Sequence, residues 1–228
     1  MSIVFIISAP SGSGKSTLVS DLRRIVPRLE FSVSYTTRRP RGSEQNGREY
    51  CFVTPVEFEE MVRRGEFLEH ANVFGNCYGT AKRFLREAEQ KGHDLLLDID
   101  VQGAKQVKEK IPLAVSIFVL PPDRETLEWR LRHRGLDSEN VIRRRLIEAS
   151  HEIENYDKYD YILVNDRLER AVDELRAIVL AERLRRLGLK SSADDKGILE
   201  IAERCRLANM RERVQCILQS FKAEAAQS

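Results

Sequence analysis

Lys15 and Ser16 follow directly on a glycine-bearing turn, Ser8-Ala9-Pro10-Ser11-Gly12-Ser13-Gly14, and are followed by Thr17. A lysine and a hydroxyl at that spacing suit a bound phosphate. Gly12 and Gly14 let the backbone curl until successive N–H groups point into one concavity. The helical pattern from Leu18 to Val26 begins there, and the positive end of its dipole favours an anion. Lys15 adds an ammonium for β- and γ-phosphates, and the Ser16 hydroxyl can ligate Mg²⁺. Ala9 stands where the pattern G-x-x-x-x-G-K-[ST] has glycine, which is harmless unless that position needs φ > 0. Two further groups have chemical potential. Asp98 and Asp100 end the apolar run at Leu95–Leu97, which places carboxylates where a metal or its waters need them. Arg38, Arg39 and Arg41 surround Pro40, a basic cluster suited to an anionic ligand.

These groups need a scaffold to hold them. Ile3–Ile7 is apolar without alternation and reads as a buried parallel strand. Phe31–Tyr35 alternates and reads as a second strand, and Asn46-Gly47 is a hairpin signal before Glu49–Val53. Thr54, Pro55 and Glu57 form a helix start with a capping box, and that helix stops at Gly65. Phe67–Val73 is a strand candidate, and Thr80 is expected to cap a helix ending near Lys91-Gly92. Further on, helices are expected over Gln102–Lys110, from Arg124, through the arginine-dense stretch to about Asn155, and over Leu168–Leu187. They alternate with strands at Ala114–Leu120 and Tyr159–Asn165. That alternation predicts an α/β fold, a mostly parallel sheet with helices on both faces and the site at the strands' carboxyl ends. Gly188–Gly197 reads as a linker. From Ile198 to Ala226 an apolar stripe at helical spacing must bury against something. Docking on its own domain and pairing as a homodimer are equally open.

Among the 228 residues Lys/Arg and Asp/Glu number 38 and 36, a net charge of +2. Bulk charge therefore gives no reason to expect a nucleic-acid partner. No stretch approaches a membrane span, and the N-terminal apolar run lacks the length and basic flank of a signal peptide. Cys51, Cys77, Cys205 and Cys216 lie far apart with no zinc spacing, so reduced thiols and a cytoplasmic location are expected.

The chain resembles the guanylate kinases in five motifs taken in series. They are Ser8-Ala9-Pro10-Ser11-Gly12-Ser13-Gly14-Lys15-Ser16-Thr17, Ser34-Tyr35-Thr36-Thr37-Arg38-Arg39-Pro40-Arg41, Asn46-Gly47-Arg48-Glu49-Tyr50, Gly75-Asn76-Cys77-Tyr78-Gly79-Thr80 and Leu96-Leu97-Asp98-Ile99-Asp100-Val101-Gln102-Gly103. The resemblance runs from Ile3 to about Leu187 and leaves the tail outside. It implies a P-loop kinase-type core (1–33, 81–127, 146–188), a mixed α+β acceptor insert (34–80) and a helical lid (128–145); composition and spacing add a linker plus amphipathic helical tail (189–228). The implied reaction is ATP + GMP ⇌ ADP + GDP with Mg²⁺, by direct in-line transfer.

The resemblance also implies roles. Residues 9–17 hold ATP, with Asn165 near the donor adenine, and Ser16 ligates Mg²⁺ directly while Asp98 reaches it through water. Arg38 and Arg41 clamp the acceptor phosphate, to which Tyr50 and Tyr78 donate their hydroxyls. Glu69 takes the N1–H and 2-amino donors of guanine, and Ser34 matches O6. Thr80 and Asp100 complete the base contacts. Lys15, Arg38, and the lid residues Arg130, Arg134 and Arg145 neutralise charge on the moving phosphoryl group. Arg132, Arg143 and Arg144 match no family position and are expected on a solvated helix face. Cys77 departs from the aromatic residue frequent in the family. Two rival readings remain: a kinase for another phosphorylated acceptor such as a ribose bisphosphate, and a non-catalytic module of the same fold.

Overall fold

The structure, a computed structural model, describes residues 2–73, 75–133, 138–188 and 192–222. The first half of the chain runs β1 (Val4–Ser8), α1 (Lys15–Ile25), β2 (Leu29–Phe31), β3 (Tyr35–Thr36), β4 (Cys51–Phe52), α2 (Pro55–Arg63), β5 (Phe67–Val73), β6 (Asn76–Ala81), α3 (Lys82–Lys91) and β7 (Asp94–Asp98). The second half runs α4 (Val101–Lys110), β8 (Val115–Leu120), α5 (Arg124–His133), α6 (Glu139–Ile153), β9 (Tyr161–Val164), α7 (Leu168–Leu187), α8 (Ala193–Arg204) and α9 (Leu207–Lys222). One sheet has five strands in the order β2-β7-β1-β8-β9. Every residue of β1, β8 and β9 is buried, as unbroken apolar runs require when both faces are covered. The expected α/β class is the one observed.

The chain divides into two compact units, residues 1–7 with 27–115, and residues 8–26 with 116–228. In the first, β7 pairs in parallel with β1 and with β2. A second sheet of four strands, β4-β3-β6-β5, belongs to the same unit. Helix α2 starts as its sequence dictates. Thr54 accepts from the Glu57 amide, Glu57 accepts from the Thr54 amide at 2.7 Å, and Pro55 opens the first turn. Such a cap stabilises by about 1 kcal/mol. Gly65 at φ 64° then turns the chain away.

Three local expectations in this unit are corrected. Phe31–Tyr35 is not one strand: β2 ends at Phe31 in the first sheet and β3 begins at Tyr35 in the second. Asn46-Gly47 joins no hairpin, because β3 and β4 pair in parallel. Gly47 makes a local turn instead, donating to the Tyr50 carbonyl at 2.8 Å, while Asn46 Oδ1 accepts from the Phe52 amide at 2.8 Å. The antiparallel hairpin is β5–β6. Thr80 caps nothing: it pairs with Glu69 inside that hairpin, and α3 starts only at Lys82.

In the second unit β8 and β9 pair in parallel, from Ile117↔Tyr161 to Leu120↔Val164. Helix α7 covers the expected Leu168–Leu187 and ends at Gly188 with φ 61°. The expected linker is shorter than its composition suggested. Ser192 and Asp195 form a reciprocal capping box, and α8 begins at Ala193. The tail is also not one helix. It breaks at Cys205–Arg206, and Ala202, Cys205, Val214, Ile217 and Phe221 are buried on this same unit. No helix among the described residues is long and apolar enough to cross a membrane.

Candidate active site

The loop between β1 and α1 has the backbone its glycines permit. Gly12 sits at φ 97° and Gly14 at φ 87°, and Gly14 occupies the cap position of α1 with no side-chain cap. Gly14 thus brings no side chain of its own over the start of α1, the end of a helix that suits an anion. The only described non-glycine residue at positive φ is Arg28, so Ala9 carries no strain and its substitution for glycine is tolerated. Lys15 is half-buried, and Ser16 and Thr17 are exposed in the first turn of α1. The Ser13 amide closes the loop onto the Pro10 carbonyl at 3.1 Å, and the buried Ser13 hydroxyl has no hydrogen-bond partner.

Two neighbours hold this loop. Asn165, at the end of β9, donates from Nδ2 to the Ser13 carbonyl at 2.7 Å. A Cβ at Gly14 would lie 2.4 Å from that nitrogen, so glycine is needed for space as well as for φ. Helix α5 packs on the other flank: a Cβ at Gly12 would meet Leu127 at 2.8 Å and Leu131 at 3.0 Å. The same helix carries Arg130, which donates to the Asn165 carbonyl at 2.9 Å. Arg145 is half-buried on α6, while Arg143 and Arg144 are exposed. Arg132 is tied to Glu128 of its own helix at 2.7 Å and to Glu139 at the start of α6. Arg134 lies outside the described residues.

The second cluster lies in the other unit. Arg38 is 9% exposed and donates to Glu44 at 2.9 Å and to the Arg39 carbonyl at 2.8 Å. Its guanidinium lies 5.2 Å from the centroid of the Tyr50 ring, which meets Tyr78 edge-on at 5.8 Å. Burial works against the Arg38 charge, and Glu44 and Tyr78 more than restore it. Glu44 also accepts from the Arg41 amide at 2.7 Å, so one carboxylate organises both arginines of the cluster. Its own carboxyl is held below the usual range, chiefly by Arg38. Thr36 and Thr37 fasten this segment to β6 through Cys77: Thr36 Oγ1 donates to the Cys77 carbonyl at 3.0 Å, and Thr37 Oγ1 accepts from the Cys77 amide at 2.9 Å. The backbone of Cys77 thus does the work there, which is why a cysteine serves. Ser34 is half-buried just before β3, and Asp98 half-buried at the end of β7.

Glu69 is the most perturbed carboxyl of the cluster. It is 3% exposed on β5, paired in register with Thr80. Burial pushes its pKa up to about 7, and the charge of Asp100 adds to the rise. The Thr80 hydroxyl beside it is buried without a hydrogen bond of normal geometry, and Thr80 draws the carboxyl back only part of the way. Asp100 caps α4, accepting from the Gly103 amide at 2.9 Å. A Cβ at Gly103 would come within 2.4 Å of Glu69 Oε2 and 3.2 Å of Asp100 Oδ1. Glycine there is what lets the glutamate reach the start of α4. The buried carboxyl and the hydroxyl without a partner are groups arranged for a ligand that supplies hydrogen-bond donors and an acceptor.

Glu44 was not singled out from the sequence, and Gly103, Thr36 and Thr37 stood in the quoted motifs without a role. The spacing Arg38–Arg41–Glu44 is the one signal that could have found the first of them.

A sequence model of the guanylate kinase family matches residues 1–182. The chain is 62% identical to a guanylate kinase of Koribacter versatilis over 222 residues, covering 96% of this chain and 95% of that protein. It is 52% identical over 183 residues to one of Geobacter metallireducens, covering 80% of this chain and 90% of that protein. The fold is similar to a crystal structure of guanylate kinase from Anaplasma phagocytophilum, with TM-score 0.66 at 36% identity, covering 79% of this chain and 86% of that one. Matched by the family model over residues 1–182 and 62% identical to a guanylate kinase over 95% of that protein, the chain belongs to the guanylate kinases.

Proposed function

We propose that two separate clusters divide the family's reaction, the loop 9–17 holding ATP and the set Ser34, Arg38, Arg41, Tyr50, Glu69, Tyr78, Thr80 and Asp100 holding GMP. The chain is an ATP-dependent enzyme that phosphorylates GMP to GDP. The observation that carries the acceptor assignment is Glu69, a carboxyl 3% exposed beside the unsatisfied hydroxyl of Thr80. Guanine offers donors at N1 and the 2-amino group, whereas adenine offers a lone pair at N1 and would be repelled. Mispairing would leave buried polar groups unsatisfied, which discriminates strongly. Arg38 and Arg41, with the Tyr50 and Tyr78 hydroxyls, suit the dianionic phosphate of the acceptor.

On the donor side the start of α1 and the Lys15 ammonium take the β- and γ-phosphates. Transfer is direct, by positioning and charge neutralisation, and uses no protein nucleophile. Arg130, Arg134 and Arg145 neutralise charge on the transferring group, and the lid around them excludes water. We assign Asn165 to holding the loop, because its amide nitrogen is committed to Ser13. The reaction takes a divalent metal, and Mg²⁺ fits the donors present. Mg²⁺ keeps its waters and binds phosphate oxygens with one or two protein oxygens. The exposed Ser16 hydroxyl suits direct ligation, and Asp98 suits a water-mediated contact. When bound, the ion screens the phosphate charge and orients the leaving group.

All four cysteines are free, which supports a reducing compartment, the cytoplasm. Burial of the tail stripe on its own chain supports a monomer over a dimer built through that stripe, and the mass in solution tests this. Turnover with GMP, AMP and sugar phosphates tests the base reading, since equal rates with AMP would end it. Lys15→Met should abolish turnover while GMP still binds, and surviving activity would reject the donor site.

A further inference from the structure

We propose that the C-terminal pair α8–α9 braces the ATP site, with Arg213 and Ser220 as positioning residues. The family match ends at residue 182, so it gives this pair no role. The pair is nonetheless built into the second unit. Cys205 and Leu207 add to the free edge of β9: the Cys205 carbonyl accepts from the Ile162 amide at 2.8 Å, and the Leu207 amide donates to the Asp160 carbonyl at 3.2 Å. Around that seam Glu182 of α7 accepts from Arg185 at 2.7 Å and from Arg206 at 3.0 Å. Arg206 also lies over the Tyr161 ring at 4.3 Å from its centroid.

From this anchor α9 reaches both flanks of the phosphate loop. Arg213 donates to Asp166 at 2.7 Å. Asp166 directly follows Asn165, whose amide holds Ser13 and whose carbonyl receives Arg130. Ser220 accepts from the Arg124 amide at 3.1 Å and donates to the Ile217 carbonyl at 2.6 Å. Arg124 opens α5, and its amide is one of the orphan donors a helix start must satisfy. That helix packs Leu127 and Leu131 on Gly12 and carries Arg130. Each of the two holds on the loop, Asn165 and α5, is therefore fixed one step back by a tail residue. Neither tail residue needs to touch a nucleotide for this. A loop whose amides must all aim at one phosphate loses affinity when either flank drifts.

The inference rests on the loop 9–17 being the ATP site, and the test separates the two claims. The full chain carrying Arg213→Ala and Ser220→Ala, shown folded by circular dichroism, is assayed at saturating GMP and then at saturating ATP. An exposed ion pair and one neutral hydrogen bond set the scale: KM for ATP should rise about fivefold while KM for GMP stays within about twofold. The single variant Arg213→Lys, with Ser220 intact, should keep most of the ATP affinity. Should the double variant fail to fold, Arg213→Gln alone carries the same test. An unchanged KM for ATP, a parallel rise in both KM values, or a lowered melting temperature alone would overturn the brace. Lys15→Met is the control: if it still turns over, the donor-site reading has failed, whereas a dead Lys15→Met beside an unaffected double variant rejects the brace only.

Discussion

Replacing Glu69 by glutamine should make the protein more stable and a far worse enzyme. The carboxyl titrates near 4.5 when solvated and at about 7 in the fold, with burial as the leading cause. The folded chain therefore holds this proton more tightly than the unfolded chain. The stability it contributes is fully present below about pH 4.5 and is lost as pH rises through about 7. The loss amounts to about 3 kcal/mol once the group is ionised. Glutamine has nearly the same volume and no proton to lose. At pH 8.5 the Glu69→Gln protein should melt higher, by about 5–10 °C for a chain of this length. By pH 5 most of that gap should have closed, because the wild-type carboxyl is then protonated in the fold. In steady-state assays the variant should lose about a hundredfold or more in kcat/KM for GMP, since one of the two hydrogen bonds to a charged acceptor gives way to an opposed pair of donors and the other loses its charge. Differential scanning calorimetry at the two pH values and a coupled ADP assay measure both halves. Equal melting temperatures at pH 8.5 would refute the buried-charge argument, and intact GMP turnover would refute the guanine contact.

Gly103→Ala should act on the same carboxyl from the other side. Its Cβ would meet Glu69 Oε2 at 2.4 Å, so KM for GMP should rise at least about tenfold while KM for ATP is unchanged. Glu44→Ala frees Arg38 and uncaps the Arg41 amide. A several-fold rise in KM for GMP is expected, with glutamine at 44 giving partial recovery. The thiols should separate by burial under a disulfide reagent. Cys216 is exposed and should react at once, whereas Cys205, buried with its pKa pushed up to about 12, should stay unmodified until the tail unfolds.

What could be read from the sequence and what could not divide along a physical line. The phosphate loop was legible because its chemistry is contiguous: strand, Gly12, Gly14 and Lys15 act through backbone conformation within a few residues. The cap on α2 was legible for the same reason, since Thr54 and Glu57 satisfy each other's amides. Thr80 was misread because a threonine before a helical pattern is locally a cap, and only the pairing with Glu69 makes it a strand residue. Ser192-x-x-Asp195 is an equally local capping box, yet the polar run around it read as linker. The groups whose roles were missed act on another part of the chain. Glu44, which was not named at all, works through Arg38; Gly103, quoted only as part of a motif, works through the room it leaves Glu69; and Asn165, expected near the donor adenine, holds a carbonyl 152 residues away. A side chain that meets a ligand must be of a chemical type the ligand dictates, so its identity alone is informative. A side chain that holds its neighbour needs only a donor, an acceptor or an empty space, and many residue types at many spacings supply those. Arg213 and Ser220 belong to this second kind. That is why the helical spacing of the tail announced a buried stripe but gave no hint that its polar edge reaches the elements holding the phosphate loop.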